Sequence, residues 1–151
     1  MISKEKIYIE LIKRIDALIE DEKDIISKMS TISCELFHAF EQWNWAGFYR
    51  LVDENILRVG PYQGTHGCLA IDINQGVCGK CVREEQVQIE NDVASLPHHI
   101  ACSADTKSEI VLPIFDDQNK LQAVLDIDSL ILNDFDKTDE KFLVSISSKI
   151  Y

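Results

Sequence analysis

The sequence predicts an α+β domain with a largely antiparallel sheet, and three observations lead there. Two helical hydrophobic periods open the chain, the period switches to two near residue 45, and a helical period returns after residue 137. No strand–helix–strand alternation and no internal repeat interrupts that order, so a parallel sheet is not expected.

The first helical period is carried by Ile7, Leu11, Ile12, Ile15, Leu18 and Ile19. After the polar break Glu20 to Asp24 it resumes with Ile25, Met29, Ile32, Leu36 and Phe40. From Trp45, WAGFYRLV and ILRVGPYQG flank the turn Asp53-Glu54-Asn55 and predict a β-hairpin. Cys68 to Ile73 alternates as a half-buried strand ending at Asn74-Gln75-Gly76. A short helix from about Gly79 to Glu84 and a brief strand in QVQIE follow. Residues 91–107 carry neither period and include Pro97, which predicts one long loop. SEIVLPIF and LQAVLDIDS flank Asp116-Asp117-Gln118-Asn119 as a second hairpin, and Glu140 to Ile150 is helical again. One domain over 1–151 results: leading helices 1–43, sheet and loops 44–136, closing helix 137–151. The helices are expected on one sheet face and the long loop over the other.

At 151 residues the chain can bury roughly two-thirds of its unfolded surface in one core. Its 15 basic and 26 acidic residues give a net charge of −11, which disfavours nucleic acid and anionic membranes as partners. No apolar run approaches the ~20 residues of a membrane span, and the start lacks a signal-peptide pattern, so a cytoplasmic protein is expected. Five cysteines in a reducing compartment point to catalysis, metal or inert burial.

Four of the five lie between 68 and 102. Cys78-Gly79-Lys80-Cys81 has dithiol spacing, but no βαβ unit precedes it. The same pair with His98, His99 or Cys102 could hold zinc, yet a second close ligand pair is missing. Cys34 reads as a small buried hydrophobe, and His38 and His66 have no evident partner. The residues themselves leave these readings of the cysteines open.

Asp126 and Asp128 are two apart on one predicted strand and therefore share a face. Covered by the loop, such a pair would hold at least one raised pKa; uncovered, it is an ordinary wet sheet face. Trp45 and Tyr49 share a strand face as well, with Gly47 between them leaving a shallow recess. They form either two walls for a small apolar or cationic group, or plain core. Glu109 opens a strand seven residues after Cys102.

WAGFY at 45–49, GPYQG at 60–64, GVCG at 76–79, HIAC at 99–102, SEIVLPI at 108–114 and VLDIDS at 124–129 together resemble the free methionine-R-sulfoxide reductases, single-domain enzymes of the GAF fold. The resemblance implies a thiol-dependent reductase that converts free L-methionine (R)-S-oxide to methionine and needs no cofactor. It implies Cys102 as nucleophile, Cys68 as favoured resolving thiol and Cys78 as a second redox-active cysteine. Glu109, Asp126 and Asp128 match the acidic substrate site, and Trp45 and Tyr49 its aromatic wall. Thiolate attack on a sulfoxide would leave a cysteine sulfenic acid, which a nearby thiol condenses to an intramolecular disulfide reduced by an external dithiol such as thioredoxin, while a homodimer follows by analogy with GAF domains. The chain departs from the pattern at Cys81, which is extra, and at Ala70, Ala123 and His98. A non-catalytic GAF module binding a small ligand is the main rival, and a structural zinc protein the third.

Overall fold

A computed structural model describes residues 1–97 and 102–151. Helix α1 spans Lys4–Ile19, capped by the Ser3 side chain, and α2 spans Ile25–Ala39, capped by Asp24. Six strands follow: β1 (Trp43–Leu51), β2 (Ile56–Gly64), β3 (Ala70–Asp72), β4 (Gln88–Glu90), β5 (Ser108–Phe115) and β6 (Leu121–Ser129). Helix α3 (Gly76–Glu84) lies between β3 and β4, and α4 (Lys137–Ser147) closes the chain behind an Asp136/Asp139 capping box.

The strands form one antiparallel sheet in the order β3-β2-β1-β6-β5-β4. Period-two alternation splits it into two apolar faces. Ala46, Phe48, Ile110, Leu112, Ala123, Leu125 and Ile127 pack with α1, α2 and α4 in the larger core. There α2 lies against β1 and β2, α4 lies against β5, and α1 bridges α2 and α4. Buried Asp139 on α4 accepts hydrogen bonds from the Tyr8 hydroxyl and the Lys4 ammonium, both at 2.7 Å, so the bridge is polar as well as apolar.

The opposite face carries Trp45, Tyr49, Val111, Val124, Asp126 and Asp128, and it is covered by helix α3 together with the expected loop, whose Cys102, Ser103 and Thr106 line the same space. Helix α3 packs on β5 and β6 through Val77, Cys78, Cys81 and Val82. It begins at Gly76, at φ +66°, and not near Gly79, because Val77 and Cys78 continue the same buried stripe as Cys81 and Val82. Strand β3 pairs with β2 over only three residues, since Cys68 turns away into a covalent link and Ile73 enters the turn before α3. The expected loop 91–107 contains a 3-10 turn at Val93–Ser95, capped by Asp92. No helix of the described residues is long and apolar enough to cross a membrane.

Candidate active site

A cleft opens between the second sheet face and α3. Trp45, Tyr49, Cys78, Cys102, Glu109, Asp126 and Asp128 all line it, together with His66, Gly67, Ile71, Gly76, Val77, Ser103 and Thr106. Strand register places the acids: Glu109 on β5 faces Asp128 on β6, while Asp126 lies between Val111 and Gly47. Adjacent strands thus converge three carboxyl groups on one spot. Cys102, whose Cα lies 5.5 Å from that of Cys68, is joined to it by a disulfide. His98 and His99 lie outside the described residues.

Of the two readings of Asp126 and Asp128, a wet sheet face does not hold. Glu109 and Asp126 are each only 6% exposed. Burial holds the Glu109 carboxyl well above its ordinary range, and the charges of Asp126 and Asp128 push it further. Burial also raises Asp126, to about 6, although hydrogen bonds from Glu109 and Cys78 favour its charged form. Asp128 is raised chiefly by burial and then by Asp126, with Thr106 opposing. Three close acids therefore share protons, with Glu109 and Asp128 both held well above their ordinary range. Asp126 Oδ1 and Trp45 Nε1 are buried and have no hydrogen-bond partner among the described residues.

Trp45 and Tyr49 line the cleft and are at the same time buried in the smaller apolar core, so features of both readings meet in them. Trp45 and Tyr49 stack with ring centroids 5.4 Å apart. Tyr62, which the sequence pattern did not single out, stacks on the other side of Trp45 at 5.1 Å. Gly47 leaves no recess: a Cβ there would meet Tyr62 Cβ at 2.2 Å, so the neighbouring rings fill the space a side chain would take. Tyr62 was findable, because it pairs with Gly47 across the first hairpin. His66, read as partnerless, lines the cleft mouth.

The remaining thiols divide by burial. Cys78 and Cys81 are buried, and burial raises both thiols above their usual value, Cys78 further through Asp126 and Glu109. Cys34 corrects the expectation of an inert core cysteine. It is exposed on the outer side of α2, with its sulfur 3.8 Å from His38 Nδ1.

The GAF domain model matches residues 21–150. The chain is 37% identical to the free methionine-R-sulfoxide reductase of Saccharomyces cerevisiae, covering 99% of this chain and 86% of that protein. It is 36% identical to the Escherichia coli protein of the same name, covering 98% of this chain and 88% of the other. The chain belongs to the free methionine-R-sulfoxide reductases of the GAF family. A crystal structure of the Neisseria meningitidis free methionine-R-sulfoxide reductase in complex with its substrate superposes with a TM-score of 0.91 at 36% identity, over 99% of this chain and 89% of that one. In this free methionine-R-sulfoxide reductase family member, the cleft between the sheet and α3 is where thiols, acids and aromatic rings meet.

Proposed function

We propose that this chain reduces the (R)-sulfoxide of free methionine, with Cys102 as the attacking thiolate. The observation that carries the reading is a single cleft in which Cys102, disulfide-linked to Cys68, meets the buried acids Glu109 and Asp126 and the half-buried Asp128. A sulfoxide is a weak electrophile until its oxygen takes a proton, and Glu109, held protonated by its surroundings, supplies it. Cys102 attacks sulfur, the oxygen passes to the Cys102 sulfur as a sulfenic acid, and methionine leaves. The Cys68 thiol condenses with that sulfenic acid, releasing water and forming the disulfide. Two electrons from an external dithiol, for which thioredoxin is the proposed donor, regenerate both thiols.

Cys78 is a poor rival for the attack, because burial and the neighbouring acids keep it a thiol. Trp45 and Tyr49 enclose the S-methyl group, and Asp126 Oδ1, unpartnered among the described residues, is free for the α-ammonium. A methionine inside a peptide lacks that ammonium and leaves the acid unsatisfied. The same reading places the enzyme in the cytoplasm, where thioredoxin is available, as a homodimer paired through its leading helices.

A thioredoxin-coupled assay following NADPH tests this. Turnover is expected with the free R diastereomer, and weaker by on the order of 10⁴-fold with a peptide carrying it. Cys102→Ser is expected to lose at least about 10³-fold in kcat. Cys68→Ser should complete one turnover and then stall. Comparable turnover of the peptide, or an active Cys102→Ser, removes the assignment.

A further inference from the structure

Cys78 enters the cleft from α3, Glu109 from β5 and Asp126 from β6, so three donors reach one point from three elements. One ligand atom from each lies within 4.8 Å of the other two, and all three residues are buried. Asp126 lines the cleft, is only 6% exposed, and its Oδ1 accepts no hydrogen bond among the described residues. Asp128 stands opposite Glu109 as a further oxygen donor.

We propose that Cys78, Glu109 and Asp126 form a site for one thiophilic divalent cation of the Zn²⁺ type, and that its occupancy closes the cleft to the amino acid. The donor set decides the class of ion. A thiolate with two carboxylates suits Zn²⁺, Co²⁺ or Cd²⁺, whereas Mg²⁺ and Ca²⁺ need shells made of oxygen. Bonds of about 2.0 Å to oxygen and about 2.3 Å to sulfur draw the three donors slightly closer than they stand. The Cys78 thiol and the Glu109 carboxyl each release their proton to solvent as the metal bonds form. Two positive charges then offset the mutual repulsion that otherwise makes this cluster costly to ionise. The site shares Cys78 with the zinc reading of the sequence but takes two carboxylates in place of Cys81 and of His98, His99 or Cys102. Binding stands independently of the reductase assignment; only the block of turnover rests on it.

The test titrates the disulfide form with Co²⁺ in a Cys34→Ser background, which removes the exposed thiol beside His38. Expected are a near-ultraviolet thiolate-to-cobalt charge-transfer band saturating at one ion per chain, and proton release. Cys78→Ser should abolish the band. Asp126→Asn, which keeps the thiol and so reports even if Cys78→Ser fails to fold, should weaken binding by on the order of tenfold or more. No band, a band that survives Cys78→Ser, or one lost in Cys81→Ser while Cys78 is intact overturns the site. In the reduced enzyme, Zn²⁺ should inhibit competitively with the sulfoxide. A band without that inhibition overturns the closing of the cleft, and an inactive protein that still binds Co²⁺ leaves the site standing while the reductase reading fails.

Discussion

Asp126 lies within reach of Glu109, Asp128 and Cys78, on a cleft floor where only 6% of its surface meets solvent. Its carboxyl is pushed from 3.8 up to about 6, first by burial. The folded protein therefore holds that proton more tightly than the unfolded chain does. This stabilisation is complete below pH 3.8 and is lost as pH rises through about 6. The gap corresponds to about 3 kcal/mol. Denaturant midpoints measured from pH 4 to pH 7 should fall with rising pH, and Asp126→Asn should flatten the slope while raising stability at neutral pH. Glu109 and Asp128 are raised in the same direction, so some slope remains. An Asp126→Asn slope equal to that of the parent would mean that its proton is not held by the fold. The pairing of Asp126 with Asp128 on one face was readable from their spacing. Their dryness was not, because periodicity says which residues share a face but not what covers it.

Helix α3 supplies the cover, and its seating depends on one residue without a side chain. A Cβ at Gly79 would stand 2.4 Å from the Ile73 carbonyl oxygen and 2.8 Å from its carbonyl carbon, both backbone atoms that cannot swing away. Gly79→Ala should therefore lift α3 from the sheet, at a cost of about 1–3 kcal/mol. A fall in the urea midpoint together with reduced turnover checks this, because Cys78, Val77 and Gly76 on the same helix line the cleft. An alanine variant as stable as the parent would show that the helix has slack. Within the sequence, Gly79 looked like the start of the helix. In the fold it is the point where the helix touches the preceding turn, a contact between segments that no local pattern encodes.

Taken whole, the molecule buries one sheet face under three helices and gives the other to chemistry. What the larger core leaves outside is also informative. Ile2 and Ile9, seven residues apart, stand exposed in a groove that Ile7 and Ala39 share with Lys6, Glu10, Arg14 and His38. The homodimer proposed above is expected to pair over these exposed isoleucines at the start of the chain. Sedimentation should give twice the 17.2 kDa chain mass, and Ile9→Glu should shift it to the monomer with the cleft chemistry intact. A monomeric parent protein rules the pairing out.

The order of helices and strands, the two hairpins and the alternation that separates the sheet faces are local properties, set by side-chain periodicity and turn residues along the chain. They needed no tertiary information, and neither did the residue types that carry the family resemblance. Strand register brought Glu109 opposite Asp128, the seating of α3 brought Cys78 to the acids, and a long-range link brought Cys102 to Cys68 across 34 positions. Burial then raised the proton affinity of ordinary carboxyl groups. These are effects of distance and dielectric between segments far apart in sequence, so only the packed chain could decide them.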